Sequence, residues 1–120
     1  MKDHKDLDVW KQSMNLTVRI YSITNIFPSE EKFGLSSQMR RAAVSIVSNI
    51  AEGAGRKGDK EFIQFLYISL GSVAELETQL LLSEQLQFVR STEEELKQIE
   101  QIKQMISGLI RYLNNKISDK

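Results

Sequence analysis

Apolar residues recur along this chain in steps of three and four, the spacing of one face of an α-helix. In the C-terminal quarter the series is Ile99, Ile102, Ile106, Leu109 and Leu113. Earlier come Met39, Ala43, Ile46 and Ile50, then Phe62, Leu66, Ser69, Val73, Leu76 and Leu80. No segment sustains the alternation of a strand. Breaks fall where Pro28, Gly34, Gly53 and Gly58 interrupt the pattern. They predict four helices over about 6–25, 35–52, 60–87 and 92–115, roughly 30–40 Å long at 1.5 Å per residue. Ser36 and Asp59 stand as N-caps, Gly53 as a C-cap, and Thr92 with Glu95 as a capping box. Asp6 and Asp8 fit a first helical turn, where negative charge is favoured.

Long helices with short connections predict an all-α, antiparallel up-down-up-down four-helix bundle in one domain over 1–120. A bundle helix needs one apolar stripe. The first helix carries two: Leu7, Trp10, Met14, Val18 and Tyr21, and separately Val9, Leu16, Ile20, Ile23 and Phe27. On the third helix Tyr67, Ile68 and Leu82 lie opposite Phe62 and Leu80. Surplus apolar surface of this kind marks an interface, so a homo-oligomer is expected. The rival is a wider contact within one subunit.

Composition narrows the chemistry. Of 120 residues, 41% are hydrophobic and 27% charged, which suits an ordinary soluble domain. Without cysteine, disulfides and thiolate sites are excluded. The polar N-terminus and the lack of a long apolar run point to a cytoplasmic protein with no membrane partner. Sixteen Lys and Arg balance sixteen Asp and Glu, which argues against general phosphate binding. The balance is local as well as global. Residues 36–57 hold four basic and one acidic residue, and residues 61–90 hold one basic and four acidic. Ion pairing between the second and third helices accounts for this, and a local basic patch for RNA is the alternative.

Gly53-Ala54-Gly55-Arg56-Lys57-Gly58 fits G-x-G-x-x-G. That fingerprint binds a dinucleotide only after a strand. Here it follows a helical pattern and reads as a corner, so no cofactor is expected. Arg41, Ser45, Ser48 and Glu52 form a polar line, either a solvent face or the lining of a channel or groove. Glu77 shares a helical angle with Leu66 and Leu70, which predicts a structural pair with Arg40 or Asn49 in preference to a catalytic acid. His4 is the only histidine and no acid–base constellation or metal-ligand spacing is present, so the chain is read as non-enzymatic.

The stretch "LDVWKQSMNLTVRIYSITNIFPSEEKFGLSSQMRRAAVSIVSNIAEGAGRKGDKEFIQFLYISLGSVAELETQL" resembles the four-helix-bundle family encoded in intervening sequences of bacterial 23S rRNA genes. Trp10, Phe27-Pro28, Arg40-Arg41-Ala42, Asn49 through Gly53, Gly71-Ser72 and Glu75 through Leu80 carry the likeness, which spans about residues 7 to 113. The resemblance implies a ring-like homopentamer without established enzymatic activity. A related group, the accessory protein of diversity-generating retroelements, is basic and binds a reverse transcriptase and nucleic acid. The balanced charge here departs from that pattern. The expected role is an oligomeric binding or scaffold module for a protein or nucleoprotein partner. Arg40, Arg41, Arg56 and Lys57 are the candidate contacts, and Asn49, Glu52, Glu75 and Glu77 a candidate structural polar network. The alternative is direct RNA or nucleic-acid binding by the second helix and the 53–58 loop.

Overall fold

The computed structural model describes residues 3–119. Four helices account for most of them: α1 (Asp8–Thr24), α2 (Leu35–Ala54), α3 (Asp59–Gln85) and α4 (Glu93–Ser118). Two 3-10 turns, His4–Asp6 and Ser29–Glu31, precede α1 and α2. There is no strand among the described residues. Each helix packs on its neighbours in sequence, and α1 closes the set against α4. The result is a rod of 52 × 21 × 20 Å.

The 3.6-residue apolar pattern explains the packing. Leu16 and Ile20 of α1, Met39, Ile46 and Ile50 of α2, Leu66, Leu76 and Leu80 of α3, and Ile99, Ile102 and Ile106 of α4 are all less than 2% exposed. Each contributes about 1.5–3 kcal/mol when fully removed from water. The second stripe of α1 (Val9, Leu16, Ile20 and Phe27) is the one that faces this core.

Between α2 and α3 the seam is built from small residues. Ser69 Oγ donates to the Ile46 carbonyl at 2.9 Å, and the Ser45 and Ser72 hydroxyls meet at 2.8 Å. Small side chains at a contact let helix axes approach closely. Gly53 is the extreme case. It is not the C-cap expected from sequence: α2 runs on through it to Ala54, and Gly55 caps the helix. A Cβ at Gly53 would lie 2.7 Å from Phe65 Cβ and 2.9 Å from Phe62 Cδ1. Glycine is there because α3 leaves no room for a side chain.

Other helix ends also depart from the predicted caps. α1 begins at Asp8, and Asp6 belongs to the preceding 3-10 turn. Ser36 lies buried inside α2, and the Leu35 N–H is satisfied by Glu31 Oε1 at 3.1 Å. Asp59 is the first residue of α3, after Gly58. The capping box does not form. Thr92 instead donates both its N–H and its hydroxyl to Glu84 Oε1, the latter at 2.6 Å. These bonds, the hydroxyl first, hold the Glu84 carboxyl below the usual glutamate range. α3 closes with Gln87 in the left-handed region (φ 62), Phe88 N–H on the Ser83 carbonyl and Gln87 N–H on the Glu84 carbonyl, which is a Schellman motif.

α3 is long and apolar enough to cross a membrane by those two criteria alone, with a mean hydropathy of 1.2 and a third of that window buried in the bundle. Its glycine, serines and threonine interrupt any contiguous apolar run, so the property shows only over a whole helix. The consequence on the surface is a largely uncovered apolar stripe, with Tyr67, Ile68, Leu82 and Leu86 all exposed.

Candidate functional site

The four candidate contact residues divide into two places. Arg40 and Arg41 sit near the start of α2. Arg56 and Lys57 follow its end, roughly 24 Å away along the axis at 1.5 Å per residue. They do not form one patch.

Arg40 works as a clamp. Its Nε donates to Thr24 Oγ1 at 2.9 Å and its Nη2 to Asn25 Oδ1 at 2.9 Å. Its guanidinium lies 4.7 Å from the Tyr21 ring centroid. The Thr24 hydroxyl in turn donates to the Ile20 carbonyl at 2.7 Å. The C-terminal end of α1 is thereby tied to α2, and Arg40 is fixed in orientation while keeping its charge. Arg41, one position on, is exposed and has no ion-pair or hydrogen-bond partner among the described residues.

An open groove of about 640 Å³ runs past this pair, lined by Tyr21, Lys32, Phe33, Ser37, Arg40, Arg41, Val44, Ser45 and Ser48. Three of these residues are cationic, four carry hydroxyls and none is acidic. Lys32 has no ion pair among the described residues and stands 5.6 Å above the Phe33 ring. Phe33 itself is 89% exposed, the most exposed large hydrophobic side chain described. The two carboxylates that precede Lys32 in the chain accept local hydrogen bonds: Glu31 from the Leu35 N–H and Glu30 from the Ser29 hydroxyl, both at 3.1 Å.

At the far end Arg56 is already neutralised. It pairs with Glu52 at 3.3 Å and Glu61 at 3.8 Å, and it stacks on Phe65 at 4.9 Å. Lys57 is exposed on the turn between α2 and α3.

The predicted polar network separates into four local arrangements. Asn49 Nδ2 donates to the Ser45 carbonyl at 2.8 Å. Glu52 holds Arg56. Glu75 is exposed and accepts only from Gln79 Nε2 at 3.3 Å, which leaves the buried Gln79 Oε1 without a partner. Glu77 pairs with neither Arg40 nor Asn49. Its partner is Lys103 of α4, at 3.1 Å, with Glu100 on the same ammonium at 3.8 Å. The reason is rotational: Glu77 faces the α3–α4 side, away from α2.

Sequence reasoning missed Lys32, Phe33 and Tyr21 as groove walls. A lysine–phenylalanine pair in the irregular segment between Pro28 and Gly34 was the available signal. Among the described residues no group of three or more His, Asp or Glu is placed to hold a metal ion.

The fold and its surface define an all-α protein of four helices. Residues 5–108 match the family described as 23S rRNA-intervening sequence protein, and the chain belongs to that family. It is also similar to a crystal structure of a protein of unknown function from the S23 ribosomal protein family of Bacteroides thetaiotaomicron. The identity is 26% and the TM-score 0.76, over 86% of this chain and 95% of the other. No curated protein matches the sequence.

Proposed function

We propose that the protein is a non-enzymatic scaffold that works as a ring of identical chains, five in number by the family resemblance. Its helices alternate direction in up-down-up-down order, a reading supported by the packing of each helix on its neighbours in sequence. The observation that carries the proposal is the surplus apolar surface. On α3 and its C-cap residue, Ile68, Leu82 and Leu86 are 51%, 44% and 49% exposed, and on α1 Met14 and Val18 are 41% and 64% exposed. These are two different patches on one molecule. A contact between unlike patches is heterologous and closes into a ring when the rotation permits. Each side chain so buried contributes up to about 1.5–3 kcal/mol. Light scattering at micromolar concentration is expected to give five chain masses for the wild type and a single chain for Leu82→Glu. A wild-type particle of one chain ends the proposal.

A second reading, direct binding of nucleic acid, is favoured by the groove beside Arg40 and Arg41, which is cationic on a chain of zero net charge.

A further inference from the structure

We infer that the Phe33 groove takes single-stranded nucleic acid, with its phosphates on Arg40, Arg41 and Lys32 and an unpaired base on the Phe33 ring. The inference rests on the second reading above and specifies its ligand.

Charge gives the first half of the argument. A groove with three cations and no carboxylate selects an anion, and here the selection is local because the chain as a whole is neutral. Arg40 is held by Tyr21, Thr24 and Asn25, so its field is fixed before a ligand arrives. Arg41 and Lys32 have no ion-pair partner among the described residues, so no internal pair must break for them to meet a phosphate. The Ser37, Ser45 and Ser48 hydroxyls line the same groove. Guanidinium and hydroxyl groups together are usual phosphate contacts.

Phe33 gives the second half. Lys32 Nζ stands 5.6 Å over one face of the Phe33 ring, and a phenylalanine left 89% in water beside a cationic groove offers its other face to a ligand. Duplexes present phosphates but keep their base faces stacked inside, and double-stranded RNA is read mostly by shape. Of the groups a nucleic acid presents, only an unpaired base can lie on Phe33, and base–aromatic stacking tolerates any sequence. An acidic peptide would satisfy the cations and leave the ring uncovered. The observations therefore favour the single strand over a protein partner.

Three contacted phosphates set the strength. For single strands the slope of log K against log salt is about −0.7 per contact, so a slope of about −2 is expected. The test is fluorescence anisotropy with a labelled RNA of about 12 nucleotides, single-stranded or annealed to its complement, in about 50–200 mM salt. The single strand is expected to bind more tightly than the duplex. Arg41→Ala and Lys32→Ala are expected each to make the slope shallower by about 0.7. Phe33→Leu, which keeps apolar bulk and loses the ring, is expected to weaken the single strand about 5- to 100-fold and leave the salt slope unchanged. Lys97→Ala, on exposed α4 surface, serves as the charge control and is expected to bind as wild type.

If neither single strand nor duplex binds at low salt, the nucleic-acid reading itself fails. If both bind equally, or Phe33→Leu binds as wild type, that reading survives and the base-stacking site is overturned. Displacement of the RNA by polyglutamate at equal charge concentration reassigns the groove to an acidic protein. A change in scattering mass on Phe33→Leu reassigns the ring to a contact between copies.

Discussion

At Gly53 a single missing methyl decides how closely two helices pack. Alanine is the better helix former by about 1 kcal/mol, and on propensity alone Gly53→Ala should stabilise α2. The structure opposes this, because the new Cβ would meet Phe65 Cβ at 2.7 Å and the Phe62 carbonyl oxygen at 3.3 Å. Both are backbone or near-backbone atoms and cannot swing aside. Overpacking of this kind costs typically about 1–3 kcal/mol against about 1 kcal/mol of propensity, so a net loss of up to about 2 kcal/mol is expected. Urea denaturation checks it, and a variant as stable as wild type would show that α3 shifts freely. Glycines at 53, 55 and 58 look alike in the sequence. Only the first turns of α3, which fold back onto the end of α2, separate the one that is packed from the two that turn.

At the scale of the element, the helices were legible, their bounds to within about three residues, while the side-chain bonds that cap them were not. Apolar spacing located all four, because burial of one face follows directly from the 3.6-residue period. The caps were misread because a cap is a choice among nearby polar partners. Thr92 could bond its own N3 glutamate or reach across the turn, and Glu84 on the last turn of α3 is closer in space. That cross-turn bond makes a pH prediction. The Glu84 carboxyl is held below the usual range by the Thr92 hydroxyl first and its N–H second, so its folded pKa lies below its unfolded value. The stabilisation is then fully present above the unfolded pKa, about 4.3, and is lost as pH falls through the folded one. Relative to Glu84→Gln, which cannot ionise, wild-type stability is expected to fall across this acid range and to hold steady from about pH 5 to 7. Urea midpoints of the two proteins against pH measure it, and a constant difference down to about pH 3 would refute the linkage. Glu77 shows the same limit of reading: its helical angle was clear, while its partner Lys103 depended on which neighbour lay on that side.

For the whole molecule, assembly has a thermodynamic signature separate from mass. The groove could not be read from periodicity, since Lys32 and Phe33 belong to no helix. The surplus apolar stripes could, since they follow the same 100° rule as the core. If copies bury those stripes, folding and association are linked, and chain concentration becomes a stabilising variable. For a five-chain particle each tenfold rise in concentration adds about 1 kcal/mol of stability per chain, a little under the 1.4 kcal/mol of a simple tenfold ratio. With urea slopes of about 1–3 kcal/mol/M for small domains, the midpoint should rise by about 0.3–1 M per tenfold. In Leu82→Glu a charge enters the exposed apolar surface near the C-terminal end of α3, and the dependence is expected to vanish while the core, which Leu82 does not enter, still folds. Circular dichroism at two concentrations decides between the alternatives. Coincident wild-type transitions would mean that α3 and α1 keep their apolar faces in water, and the ring would have no driving force.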